Sequence, residues 1–328
     1  MVVSTVDYHT AGEPFRIVSG GVPPLVGHTV VERRAWARAH LDDIRKLLVH
    51  EPRGHADMYG GFVTPPDDDG AAFGVVFFHS DGYSTACGHG TIAVATWAVD
   101  AGVVLAVEDA VEMHIDVPSG RLRVVAEVDE ARVRCVRFRN VAAFAAALDA
   151  EVEVGSLTLA VDLAYGGAFY ASVDVADVGC ALTATQLPRL IDLGRRIRHA
   201  VDRQHPLEHP DGPHLGGVYG VIFHEQVGPL HQRNVTVFAD GEVDRSPCGS
   251  GTSARLAVLA ERGVMKAGDE LVHESIVGTR FVGRLIGPLG EPPRRRWETE
   301  IEGRAARTGF HTFVLDPGDE VGTGFYLR

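Results

Sequence analysis

Apolar residues along this chain repeat with two different periods, and the switches between them sketch a fold. Alternation with a period of two predicts strands at 2–8, 15–18, 58–64 and 72–78, while helical spacing over 31–48 predicts one amphipathic helix. Stretches 111–117 and 122–128 form a predicted hairpin around Pro118-Ser119-Gly120. The second half repeats this order in outline, with strands at 152–161, 168–175, 218–223 and 234–239 and a helix near 186–201. Beyond Phe281 further strands lead to 309–315, whose end is expected to pair back with the first half. Each half holds one more helix, over 91–101 and 252–262, stopped by Gly102 and Gly263, residues suited to a left-handed C-cap. Strands around one central helix, twice over, predict two α/β halves.

The two central helices begin on the same phrase. Cys87-Gly88-His89-Gly90-Thr91-Ile92-Ala93-Val94-Ala95 is echoed 161 positions later by Cys248-Gly249-Ser250-Gly251-Thr252-Ser253-Ala254-Arg255-Leu256. Gly-x-Gly lets the backbone turn tightly and expose N–H groups, and the Thr-led run starts the helix. A cysteine there feels the positive end of the helix dipole, worth only about 0.3–1 kcal/mol at an exposed end. Burial and bound substrate must supply the rest of any thiol activation. The same N–H groups suit a carboxylate. Two thiols in equivalent places predict a site where one removes a proton from one face of a carbon and the other protonates the opposite face, the logic of a cofactor-free racemase.

Composition narrows the class. With 328 residues, 45% of them hydrophobic and 23% charged, the chain can build two cores. A net charge of −13 argues against nucleic acid or an anionic membrane as the main partner. The basic cluster Arg294-Arg295-Arg296 follows Pro292-Pro293 and reads as a solvated loop. No run nears the roughly 18 apolar residues of a membrane-spanning helix, and Met1-Val2-Val3-Ser4 lacks the charged start of a signal peptide. The expected address is therefore the cytoplasm, where thiols stay reduced.

Of the four cysteines, Cys135 sits in an alternating run and Cys180 follows Val178-Gly179, so both read as core. Cys87 and His89 lack the second CxxC or HxxxH pair of a zinc site, and His205, His209 and His214 fall in a proline-broken loop, so no metal is expected. A thiol oxidoreductase would bring its cysteines together as CxxC. Neither Gly-x-Gly-Thr continues into a P-loop or a GxGxxG dinucleotide site. A non-catalytic carboxylate binder needs only the loops, and thiol alkylation separates it from an enzyme.

Several phrases carry a closer resemblance: Asp7-Tyr8-His9-Thr10-Ala11-Gly12-Glu13-Pro14, Glu51-Pro52-Arg53-Gly54-His55, Gly82-Tyr83-Ser84-Thr85-Ala86-Cys87-Gly88-His89, Tyr165-Gly166-Gly167-Ala168-Phe169-Tyr170-Ala171 and Asp244-Arg245-Ser246-Pro247-Cys248-Gly249. The chain resembles the proline racemase family, which includes proline racemases, 4-hydroxyproline epimerases and trans-3-hydroxy-L-proline dehydratases. The resemblance implies an α/β (α+β) fold like that of diaminopimelate epimerase, with two pseudo-symmetric domains that wrap strands around a central helix and an active site in the cleft between them. Their expected bounds are 1–140 plus 305–328, carrying Cys87, and 141–304, carrying Cys248. It implies a homodimer acting on a small cyclic amino acid, without metal or pyridoxal phosphate. Cys87 and Cys248 are then the two catalytic acid/base groups. Gly88, His89, Gly249 and Ser250 are the backbone donors to the substrate carboxylate, His89 and Asp244 hold the ring nitrogen, and Tyr59, Phe77 and Phe238 match the aromatic pocket. A cationic amine also calls for an anion on chemical grounds, and Asp244 lies in the same loop as Cys248. Diaminopimelate epimerase itself is disfavoured, because it resembles a chain with Asn where this one has His89. Ala86 departs from the family, which usually carries Met there, and bears on packing behind Cys87.

Two features pull the subgroup in different directions. Phe78-His79-Ser80-Asp81-Gly82-Tyr83-Ser84, Asp162-Leu163-Ala164-Tyr165-Gly166-Gly167-Ala168-Phe169 and Val237-Phe238-Ala239-Asp240-Gly241-Glu242-Val243-Asp244 look most like the 3-hydroxyproline dehydratases, and Tyr59 offers a hydroxyl where strict racemases have Phe. Those dehydratases have Thr or Ser where this chain has Cys248. Inversion needs a proton donor of suitable acidity on each face of the planar carbanion, and a Thr hydroxyl is too weak an acid. Cys248 therefore leads to racemisation or epimerisation of free proline or a hydroxyproline as the expected reaction, with dehydration of trans-3-hydroxy-L-proline as the alternative.

Overall fold

Ala11 and Gly12 both take positive φ, 52° and 97°, and this two-residue turn folds β1 (Val2–Thr10) back onto β2 (Glu13–Gly20) as an antiparallel pair. The structure is a computed structural model that describes residues 1–130, 132–290 and 295–327, so Arg294 of the expected basic loop lies outside the described residues. The chain divides into two compact units, Met1–Phe138 with Arg304–Arg328, and Arg139–Gly303.

In the first unit, β2 leads to two helices where the periodicity predicts one. Thr29 starts α1 (Val30–His40) with a capping box: its side chain accepts from the Glu32 N–H at 3.2 Å, and the Glu32 carboxylate accepts from the Thr29 N–H. Leu41, at φ −119° and ψ 15°, leaves helical geometry and buries its side chain, so α2 (Asp42–Val49) begins afresh with two aspartates in its first turn. Apolar spacing runs straight through this break because both helices lay the same face on one core, in which Leu41, Ile44, Leu47 and Leu48 meet Val3, Val18, Phe62 and Phe78. There follow β3 (Tyr59–Thr64), β4 (Phe73–His79), β5 (Gly82–Tyr83), α3 (Gly88–Asp100), the hairpin β6 (Ala110–Val117) and β7 (Gly120–Asp129), and β8 (Arg132–Arg139). Helix α3 is buried at every residue from Gly88 to Thr96 and packs against β1, β2, β3 and β7. A helix apolar all round belongs inside.

The second unit opens with β9 (Phe144–Val154) and β10 (Leu157–Tyr165). The single strand expected at 152–161 is instead a hairpin corner, where Val154 pairs with Leu157 across a turn with Gly155 at φ 67°. The β-rich composition on both sides hides a turn that only one glycine marks. Next come β11 (Phe169–Asp174), the amphipathic α4 (Leu187–Gln204), β12 (Val218–Gly228), β13 (His231–Phe238), β14 (Glu242–Asp244), α5 (Gly249–Glu261), β15 (Glu270–Ser275), β16 (Arg280–Leu289) and β17 (Arg296–Gly303). Leu190, Leu193, Ile197 and Val201 turn one stripe of α4 into the core. Helix α5 is buried from Gly249 to Ala260 and packs against β9, β10, β11, β16 and β17. The last strand, β18 (Ala305–Val314), belongs to the first unit and pairs antiparallel with β1 from Val2↔Val314 to Thr10↔Ala305.

Cys135 is buried on β8 and donates to Glu127 at 3.1 Å, while Cys180 is half-buried against the second core, and all four cysteines are free thiols. Arg296 departs from the expected loop: it begins β17 rather than standing in solvent, and Arg295 lies over the Trp297 ring. His205 meets the Glu151 carbonyl at 2.8 Å and His209 packs on the Tyr165 ring. Among the described residues there is no group of three His, Cys, Asp or Glu side chains placed to hold a metal, and no helix long and apolar enough to cross a membrane.

One charge sits deep in the second unit. Arg255, on the buried face of α5, reaches Asp162 on β10 at 3.4 Å, and Asp162 also binds Arg262. Burial pushes the Arg255 guanidinium down to about 10, against the pull of Asp162. Removing one partner of such a pair leaves an uncompensated buried charge. Asp162→Ala should therefore cost about 3–5 kcal/mol in urea unfolding, whereas Asp162→Leu combined with Arg255→Met should cost markedly less. Equal losses for the single and double variants would show that packing, not the stranded charge, sets the cost.

Candidate active site

Each unit buries one helix N-terminus capped by a cysteine. In the first, Cys87 is the N-cap of α3 in extended conformation, φ −154°, and its sulfur accepts the Gly90 N–H at 3.2 Å. The Thr91 hydroxyl donates to the Cys87 carbonyl at 2.8 Å, and the Thr91 N–H donates to the same oxygen. Gly88 and His89 are left with N–H groups outside the intrahelical ladder. The His89 ring nitrogens lie 3.5 Å from the Cys87 sulfur. Burial pushes the imidazole down to about 3, so it is neutral and can accept a hydrogen bond from a cation. Thr10 donates to the His89 carbonyl at 2.9 Å and ties the first turn of α3 to β1.

Aromatic rings enclose this corner. Tyr59 stands edge-on to His89 at 4.9 Å between ring centres and donates its hydroxyl to Ser84. Phe77 meets Phe15, which is itself edge-on to His89. His89 thus touches both Cys87 and Tyr59, with Phe77 further back behind Phe15.

The helix head in the second unit has the same skeleton with different details. Cys248 is the N-cap of α5, but at φ 64° it lies in the left-handed region. Thr252 repeats the role of Thr91, its hydroxyl donating to the Cys248 carbonyl at 2.7 Å. The loop before the cysteine is wired internally: the Ser246 N–H donates to Asp244 at 2.7 Å, and the Cys248 N–H donates to Ser246 Oγ at 3.2 Å. Asn234 holds the Pro247 carbonyl at 3.1 Å. Asp244 is buried on β14, and burial raises its carboxyl above the usual range although Ser246 donates to it. Burial first and the Asp244 carboxylate second push the Cys248 thiol up, and the Tyr170 hydroxyl opposes them. Phe238 stacks on Tyr219 at 5.5 Å, and Tyr219 meets Tyr170.

The two Gly-x-Gly phrases have one physical explanation in common. A β-carbon at Gly90 would lie 2.7 Å from the Cys87 sulfur, and one at Gly251 would lie 2.9 Å from the Cys248 sulfur. The second glycine of each phrase is the space that the thiol occupies. Sequence reasoning assigned no role to Tyr170, Ser246 or Phe15, although the first two stand inside quoted phrases. Their signal was present, but a side chain's partner across a sheet is not written in its own neighbourhood.

The family model described as proline racemase matches residues 5–326. A 3-hydroxyproline 2-epimerase from Burkholderia multivorans is 44% identical over 329 residues, covering 99% of this chain and 98% of the relative. A trans-3-hydroxy-L-proline dehydratase from Burkholderia cenocepacia is 44% identical over 331 residues, again covering 99% and 98%. The crystal structure of a hydroxyproline epimerase from Agrobacterium vitis, with bound trans-4-hydroxy-L-proline, aligns with a TM-score of 0.93 at 31% identity, covering 99% of this chain and 96% of that one. A buried cysteine at the head of each central helix and a family match along nearly the whole chain lead to one assignment: the protein belongs to the proline racemase family.

Proposed function

We propose that this protein inverts Cα of free proline or a hydroxyproline by a two-thiol reaction that uses no metal and no pyridoxal phosphate. The observation that carries this reading is the second thiol. Cys248 is buried at the head of α5, where an inverting enzyme needs its second proton donor. The halves at 1–140 plus 305–328 and 141–304 contribute one thiol each. The substrate carboxylate takes the N–H groups of Gly88, His89, Gly249 and Ser250. The ring N–H groups donate to the neutral His89 imidazole and to Asp244, while Tyr59, Phe77 and Phe238 exclude water from the ring. One thiolate removes the Cα proton, and the electron pair left on carbon delocalises into the hydrogen-bonded carboxylate. The opposite thiol then protonates the other face, so each cysteine is base in one direction and acid in the other. Four free thiols suit a reducing cytoplasm, and the family resemblance carries a homodimer with it.

Dehydration of trans-3-hydroxy-L-proline is the second reading, favoured by the Tyr59 hydroxyl and its Ser84 partner beside His89. Elimination needs only Cys87 as base and a path for the β-hydroxyl to leave.

Cys87→Ser and Cys248→Ser should each lower inversion by on the order of a thousandfold or more, since general acid–base groups contribute about 10²–10⁴. Polarimetry of trans-4-hydroxy-L-proline gives the rate, and near-native inversion by either variant would end the two-thiol reading. Asp244→Ala should reduce turnover about a hundredfold through misorientation of the amine, with a smaller effect on thermal stability, set by the Ser246 N–H left without its acceptor. Loss of stability with unchanged turnover in the folded fraction would make Asp244 a turn residue only. In heavy water the inverted product should carry deuterium at Cα. Given trans-3-hydroxy-L-proline, strong formation of a cyclic imine, detected with aminobenzaldehyde, and no inversion of any proline would establish dehydration as the main reaction.

A further inference from the structure

The two thiols sit in unlike hydrogen-bonding surroundings. Cys87 leans on a backbone amide, the Gly90 N–H, and on the His89 ring. Cys248 also leans on a backbone amide, the Gly251 N–H, but adds hydroxyls, those of Tyr170 and Thr236, where Cys87 has an imidazole. Tyr170, fully buried on β11, has its Oη 3.7 Å from the Cys248 sulfur and 2.7 Å from Ser250 Oγ, and Ser250 Oγ is 4.0 Å from the same sulfur. Three groups that each carry one hydrogen on sulfur or oxygen form a closed triangle. Left-handed backbone at a residue with a side chain is strained and is kept where the surroundings enforce it. At Cys248 that conformation accompanies a sulfur set beside the Tyr170 and Ser250 hydroxyls. The charged side chain facing this corner is Asp244, whose carboxylate opposes a second negative charge on the sulfur.

From this geometry we infer that Tyr170, backed by Ser250, is a hydrogen-bond donor on which the thiolate form of Cys248 depends, beyond the helix-head amide that each cysteine has. The inference rests on the two-thiol reading. While Cys248 is a thiol, its S–H donates to Tyr170 and the tyrosine O–H donates to Ser250. When the proton passes to the substrate carbanion, the S–H bond breaks, a Cα–H bond forms and the former S–H pair remains on sulfur. The Tyr170 O–H then turns from Ser250 to the sulfur, and the Ser250 O–H turns to Tyr170. No proton leaves the tyrosine. Its burial, which raises the phenol well above its ordinary value, makes it a donor that does not ionise.

The test uses single-thiol enzymes. Cys87→Ser and Cys248→Ser are each made with and without Tyr170→Phe, and exchange of Cα hydrogen for deuterium is followed by NMR in both enantiomers of proline. Each single-thiol enzyme should exchange one enantiomer without inverting it. Tyr170→Phe should slow the exchange driven by Cys248 about tenfold or more, as loss of a hydrogen bond to a charged group does, and leave that driven by Cys87 within about twofold. Equal slowing of both, or of neither, overturns the inference. If neither single-thiol enzyme exchanges either enantiomer, the two-thiol reading itself falls. Iodoacetamide labelling of the Cys248 peptide against pH, read by mass spectrometry in the Cys87→Ser background, tests the tyrosine independently of turnover. The labelling inflection should move to higher pH with Tyr170→Phe, and an unmoved inflection counts against the role whatever reaction is catalysed. Ser250→Ala keeps the phenol but removes its support, and should shift the same inflection in the same direction by less. A shift in the opposite direction would also overturn the inference.

Discussion

Burying a helix around its whole circumference also buries its N-terminus, where four backbone N–H groups lack intrahelical partners. That constraint governs both units. At α3 the ladder starts with the Thr91 N–H on the Cys87 carbonyl, the Cys87 sulfur takes the Gly90 N–H, and the N–H groups of Gly88 and His89 suit an anion. The sulfur can reach its amide only because Gly90 has no β-carbon, and the threonine hydroxyl fixes the carbonyl to which both helix and cap refer. The features that make the site reactive are therefore the same ones that let a helix end exist without water. Dry surroundings then strengthen every polar contact a substrate makes there.

The two halves share this skeleton and diverge at the sulfur. Cys87 sits in ordinary extended backbone with a neutral imidazole beside it, and its chemistry is set by main-chain dipoles. Cys248 sits in left-handed backbone near a carboxylate, with phenol and serine hydroxyls as its polar neighbours. Two helix heads that look alike in sequence are thus electrostatically unlike. That fits a substrate whose amine, carboxylate and ring are themselves unsymmetrical about Cα.

Much of this was legible in the sequence because the information was local. The repeated Cys-Gly-x-Gly-Thr phrase marks both helix starts, and Gly102 and Gly263 mark both ends, each at φ 69°. Helix and strand periods placed most elements to within a few residues. The errors came where one pattern serves two elements: a single apolar stripe crosses the break at Leu41, and a strand-like run crosses the turn at Gly155. Partners at long separation stayed hidden altogether. Tyr170 lies 78 residues from Cys248, and Asp162 lies 93 from Arg255. No window of sequence contains both members of either pair, and only the sheet brings them together.

Strand β18 makes the order of synthesis matter. The first unit emerges first, yet its β1 partner from Ala305 to Val314 lies near the chain's end, with the whole second unit between them. The second unit is contiguous and can close on itself while translation continues, since domains generally fold as units as they are made. The unit holding Cys87 must wait with β1 unpaired along one edge until β18 has been made. Of the two thiols, then, Cys248 is the first to find its finished surroundings, and Cys87, encoded far earlier, is the last.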